Sequence, residues 1–170
     1  MAVIEAIETV YLEADASSVT FSSIPSTYEH LQLRTNVKNS KPSNNYDPLS
    51  IQFNGDSANN YAFHRMYGFS TSNGADGSAS TSSILAYAVA TLGGSDRAEY
   101  GGACFDVLDY RNSNKYTTVA CTGGGSTSLV GLASGVWLST AAVTSITVAS
   151  ISSRTLLRGS EFTLYGLNSS

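Results

Sequence analysis

Along Glu29 to Lys38, Leu31, Leu33, Thr35 and Val37 alternate with His30, Gln32, Arg34, Asn36 and Lys38. Successive side chains of a strand point to opposite faces, so this period of two predicts a sheet with one dry and one wet side. The same alternation recurs in Leu49, Ile51 and Phe53, and in Tyr61, Phe63, Arg65, Tyr67 and Phe69. It returns in Ala103, Phe105 and Val107, and again in Phe162 and Leu164. Ile84 to Leu92 is rich in alanine, but Thr81-Ser82-Ser83 and Gly93-Gly94 bracket it too closely for a helix of three turns, so it is read as a strand.

Turn residues separate these runs: Ile24-Pro25-Ser26, the loop from Asn39 to Pro48, Asn54-Gly55-Asp56, Asn73-Gly74, Gly93-Gly94, Arg111 to Asn114, Gly123-Gly124-Gly125 and Arg158-Gly159. Gly and Asn supply the left-handed backbone of tight turns. Ser70 to Ser83 holds no bulky apolar residue and is expected to be a mobile loop. The spacing predicts an all-β, antiparallel sandwich or barrel of about ten strands. Neither an internal repeat nor a linker divides the chain, so residues 1–170 are read as one domain.

One hairpin can be given a register. If Asn112 and Ser113 form a two-residue loop, Arg111 faces Asn114, Phe105 faces Ala120, and Cys104 faces Cys121. The two cysteines would then occupy a closely spaced cross-strand site. A disulfide, a redox switch or a pair of packed thiols would all satisfy it, and folding in the cytoplasm favours thiols.

Composition narrows the functions. Only 13% of the 170 residues are charged, with formal net charge −4, while Ser, Thr, Asn, 15 Gly and 10 Tyr set the polar balance. No basic run marks a nucleic-acid footprint. No apolar stretch is long enough to cross a bilayer as a helix, and the start lacks a basic segment followed by an apolar one, so neither membrane insertion nor a secretory leader is expected.

Candidate chemistry is thin. His30 lies on the wet face of its strand, His64 alternates out of phase with the Tyr61 row, and no Gly-x-Ser-x-Gly elbow is present. The cysteines lack zinc spacing. The loop from Asn54 to Asn60 offers oxygen ligands, but its single carboxylate, Asp56, makes an Asn-Gly turn a better reading than a calcium loop. Glu99, Asp106 and Asp109 show no pattern that would bring two carboxylates together. No catalytic residue, metal ligand or cofactor is assigned. The aromatics fit either carbohydrate stacking, with Trp137 and the tyrosines as a platform, or core packing. Tyr61, Phe63, Tyr67 and Phe69 share one strand face, which favours the core, and Phe53, Tyr61, Phe63, Tyr67, Phe105, Val107, Trp137 and Phe162 are taken as packing anchors.

Several segments, taken together, resemble a known pattern. Phe53-Asn54-Gly55-Asp56 through Asn60-Tyr61 to Tyr67-Gly68 forms one block, Gly135-Val136-Trp137 through Thr140 to Ile146 a second, and Gly159-Ser160 through Thr163-Leu164-Tyr165-Gly166-Leu167 a third, with Ser18 to Tyr28 fitting ahead of them. The set resembles a family of small structural proteins of tailed bacteriophages, including cyanophages and other aquatic phages. Cys104 and the Gly123-Gly124-Gly125 run depart from it. The resemblance implies a jelly-roll-like sandwich, a homotrimer, and a place on the virion surface after assembly in the host cytoplasm. It transfers no catalytic residue. Two roles follow from it: a capsid decoration (cement) protein bound to the major capsid protein, or a tail-fibre subunit bound to a tail protein, with host surface glycan as a further partner. The first strand begins almost at Met1, without an anchor segment or heptads ahead of it, which favours decoration; a carbohydrate-binding module is the third alternative.

Overall fold

The computed structural model describes residues 3–42, 46–91, 99–125, 129–151 and 153–169. They form twelve strands and, among the described residues, no helix: β1 Val3–Tyr11, β2 Ser18–Phe21, β3 His30–Asn39, β4 Tyr46–Phe53, β5 Tyr61–Phe69, β6 Ser72–Thr81, β7 Ile84–Thr91, β8 Gly101–Leu108, β9 Thr117–Gly125, β10 Leu129–Trp137, β11 Ile146–Ser150 and β12 Glu161–Asn168. The all-β, two-layered expectation holds, with twelve strands in place of about ten.

A large antiparallel sheet runs β1-β12-β3-β8-β9-β10-β5-β6. A smaller antiparallel sheet runs β2-β11-β4-β7. The layers touch at one corner, where the end of β3 pairs in parallel with β7 through Lys38↔Ala90 and Asn39↔Thr91. Between the layers lies the core that the alternation marked out. Leu31, Leu33, Leu49, Phe53, Tyr61, Phe105, Phe162 and Leu164 have no exposed surface, and Ile51, Val107 and Trp137 almost none. Burying each such side chain is worth roughly 1.5–3 kcal/mol.

The layers come unusually close where β7 crosses β9 and β10. A Cβ on Gly135 would lie 2.6 Å from Ile84 Cγ2, and one on Gly123 would lie 2.9 Å from the Tyr87 carbonyl oxygen. Ordinary carbon contacts lie at roughly 3.5–4.0 Å, so only a hydrogen fits at either place. Gly123-Gly124-Gly125 is therefore the end of strand β9 and not a turn.

Two further expectations fail for physical reasons. Ser70 to Ser83 is mostly strand β6, with Asn73-Gly74 inside it. This segment pairs along the exposed edge of β5 and draws its order from that backbone ladder, not from burial of its own side chains, so hydrophobicity could not reveal it. The hairpin register is also shifted by one: Cys121 faces Phe105, while Cys104 faces Thr122. The connection is longer than two residues because Asp109 takes a left-handed backbone (φ 50°) and Tyr110 turns into the core, its hydroxyl donating to the Pro25 carbonyl. A slip of one flips a side chain to the opposite face. Cys121 is buried, Cys104 looks outward, and both are free thiols. The Gly93-Gly94 turn and Leu92 lie outside the described residues.

Candidate functional site

The polar groups singled out in the sequence are mostly engaged in holding the chain together. Asn54 and Gly55 both have positive φ (53° and 68°), and Asp56 N–H donates to the Phe53 carbonyl at 2.9 Å, which makes a type I′ turn. This turn carries the chain from β4 in the small sheet to β5 in the large one. Residues 138–145 make the return crossing, from β10 to β11. Asn54 ties the two crossings together: its Oδ1 accepts from Thr144 N–H at 2.8 Å and Ser145 N–H at 3.1 Å, and its Nδ2 donates to the Ala142 carbonyl at 2.8 Å. Asp56 reinforces the corner, accepting from Trp137 Nε1–H at 2.8 Å, Asn60 Nδ2 at 3.0 Å and Ala58 N–H at 3.0 Å. The indole and Asn60 bonds hold its carboxyl below the usual carboxylate range, against the opposing effect of desolvation.

Beneath the corner, the Trp137 ring is stacked 6.4 Å from Tyr61 and lies 5.7 Å from Phe53. The Tyr61 hydroxyl accepts from Phe53 N–H at 2.9 Å and donates back to main-chain carbonyls, and burial pushes its pKa up to about 12. Trp137 and Tyr61 therefore turn no ring face to solvent and form no sugar platform. Phe63 and Tyr67 are only half-buried, and between them lies Arg65, whose guanidinium stacks 4.0 Å from the Tyr87 ring centre and 5.3 Å from that of Phe63. Asp76 on β6 binds Arg65 with both carboxylate oxygens.

A second network closes the far corner. Asp47, almost fully buried, accepts from Asn39 Nδ2 at 2.7 Å, Lys41 Nζ at 3.1 Å and Arg154. Asn39 also donates to Ser150 Oγ at 2.7 Å. These residues join β3, β4, β11 and the segment before β12. Sequence reasoning missed the group because Ser150 and Arg154 lie more than a hundred residues from Asn39, Lys41 and Asp47, and the set matches no spacing rule.

The histidines stay apart. His30 Nδ1, on a half-exposed ring, accepts from Asp109 N–H at 2.9 Å and is thus tied to the β8–β9 loop, less freely solvated than expected. His64 is exposed on the outer face of the large sheet, as its phase required. Among the described residues no three His, Cys, Asp or Glu side chains group as metal ligands. Burial raises the pKa of both thiols, most strongly that of Cys121.

What the molecule offers outward is a large sheet face in two halves. Over β3, β8 and β12 the face is polar: Gln32 Nε2 donates to Asp106 at 2.8 Å, Arg34 Nε donates to Gln32 at 2.9 Å, and Arg34 lies 5.0 Å from the Tyr165 ring centre. Over β9, β10, β5 and β6 the described residues of that face include no Asp, Glu, Lys or Arg. One cross-strand row there runs Ala120, Ser134, His64, Gly77, and the next runs Thr122, Leu132, Met66, Ala75. Met66, Val130 and Leu132 stand 55%, 64% and 50% exposed on this half. Beside them lies a shallow hollow of about 610 Å³ lined by Ala62, His64, Gly77, Ala79, Ser134 and Val136, among others. At the β8–β9 loop, Glu29, Asp109, Arg111 and Asn112 to Asn114 line a separate polar concavity of about 390 Å³.

No protein-family model matches the chain, and no curated protein matches it.

Proposed function

We propose that this chain is a non-enzymatic structural subunit of a tailed-phage particle, a trimeric capsid decoration protein that binds across neighbouring copies of the major capsid protein. One observation carries the reading. The residues that resemble phage structural proteins converge on a mechanical role. Asn54 and Asp56 of the first block hold Trp137, Ala142, Thr144 and Ser145 of the second, locking both crossings between the sheets at one corner. A pattern built from such ties describes a stiff frame, and shell cement works by burying its neighbours' surfaces against a rigid body.

The strand order supports a jelly-roll reading of the sandwich. One sheet has β2-β11-β4-β7, and the other continues from β3 to β10-β5-β6 with the β8–β9 hairpin placed between. That architecture recurs in viral capsid and lectin domains, so the fold by itself leaves function open. Quantitative mass spectrometry of purified particles tests the proposal: a decoration protein is near-stoichiometric with the major capsid protein, whereas a tail-fibre subunit is present at far lower copy. Absence from particles would end the virion reading altogether. The polar concavity at Glu29, Asp109 and Arg111 favours one second reading, attachment to a host surface glycan, and a silent glycan array would remove it.

A further inference from the structure

We propose that copies of this chain meet through the neutral half of the large sheet's outer face, the Met66–Val130–Leu132 ridge of one copy seating in the small-residue hollow of the next. Single exposed apolar side chains are ordinary, but these three are neighbours: Leu132 pairs directly with Met66, and Val130 lies against Gly68 on the same face. The hollow lies farther along the same two strands, beginning at the His64–Ser134 pair. Ridge and hollow therefore lie side by side on one surface, and the ridge of each copy facing the hollow of the next is a head-to-tail contact of the kind that closes a ring of three.

Charge selects the partner. The chain has formal net charge −4, yet the described residues of β9, β10, β5 and β6 bring no charged side chain to this half. A basic or acidic partner would find no Asp, Glu, Lys or Arg here to pair with. Two copies meeting here bring neutral surface to neutral surface, and the charge-poor composition is concentrated where it would be covered. Four strands about 4.8 Å apart and about 30 Å long cover on the order of 550 Å² on each copy, shared between its two neighbours in a ring of three.

The test is sedimentation equilibrium of the full chain with Leu132→Arg, Val130→Arg and, on the polar half, Asn36→Arg. All three side chains are exposed, so the variants keep the wild-type circular dichroism and, at a dilution where every form is monomeric, its unfolding midpoint. Wild type self-associates, L132R and V130R weaken association at least about 30-fold, and N36R changes it less than about 3-fold. This face rests on the self-association proposed above, and the outcomes separate the two. If wild type assembles and L132R and V130R assemble equally well, this face is wrong and self-association stands. A wild type that stays monomeric at hundreds of micromolar overturns both.

Discussion

Adding one methyl group at Gly135 and at Gly68 should change stability in opposite directions. Both glycines lie in the β5–β10 ladder, Gly135 opposite Phe63 and Gly68 opposite Val130. Gly→Ala in a strand ordinarily gains about 0.5–1 kcal/mol because the unfolded chain loses freedom. At Gly68 the new Cβ would meet only Val130 Cγ1, at 3.6 Å, so that gain should survive. At Gly135 it would lie 2.6, 2.7 and 2.8 Å from Cγ2, Cγ1 and Cδ1 of Ile84, which is 1% exposed. Ile84 must leave its rotamer or the layers must part, at a cost of roughly 1–3 kcal/mol. The net expectation is about 1–2 kcal/mol of destabilisation for Gly135→Ala and a gain of up to about 1 kcal/mol for Gly68→Ala. Trp137 is the single tryptophan and is buried beside the corner lock, so its fluorescence reports unfolding in urea directly. A shifted midpoint at constant slope gives the energies. The clash also predicts coupling: Ile84→Ala should be less costly in the Gly135→Ala background by more than about 1 kcal/mol. A neutral or stabilising Gly135→Ala, or additive energies in the double variant, would refute the close approach of the two layers.

Other expectations follow from the corner networks and the thiols. Trp137→Ala should cost about 3–5 kcal/mol, because it empties core volume and removes a donor from Asp56; a loss below about 1 kcal/mol in a urea titration followed by circular dichroism would contradict its burial. Asp56 is held below its ordinary carboxylate value in the folded state, so its contribution is complete above the unfolded value and disappears as pH falls through the folded one. Asp56→Asn should therefore flatten the acid limb of a Tm-versus-pH curve below about pH 4, and an unchanged limb would show that other carboxyls control it. Arg154→Met leaves the buried Asp47 with its Lys41 ion pair but without the guanidinium, and should cost roughly 2–4 kcal/mol by urea titration; less than about 0.5 kcal/mol would mean the pair is effectively solvated. Alkylation followed by intact mass should label Cys104 slowly and Cys121 only after unfolding, and a mass two hydrogens lighter under non-reducing conditions would overturn the one-residue shift in register.

The strands visible in the sequence were those that bury one face. Leu31 and Leu33, Leu49 to Phe53, and Phe162 with Leu164 announced themselves because water leaves one side of each and stays on the other. β6 buries little, so a ten-residue strand of Ser, Gly, Ala, Asn, Asp and Thr reads like a loop. The β8–β9 register failed at one place: a two-residue loop at Asn112-Ser113 keeps Tyr110 in the ladder, but its ring belongs to the core and forces a wider connection. The outward ridge was half-visible. Leu129-Val130-Gly131-Leu132 is apolar in both phases, and the phase not used for the core contains Val130 and Leu132. The Asp47 network left no trace, because ionic groups that meet only after folding follow no local period.

The terminal strands are partners in space: Val3 lies opposite Asn168, and β2 pairs with β11. During translation at about 5–20 residues per second, β1 must therefore wait roughly 8 to 30 seconds for β12 to be made. Throughout that interval the nascent molecule carries an open, hydrogen-bond-hungry margin in each layer. In the proposed decoration role, which calls for many copies per particle, each nascent molecule would be crowded with siblings at the same stage, so yield would depend on how well those margins are kept apart until β12 leaves the ribosome.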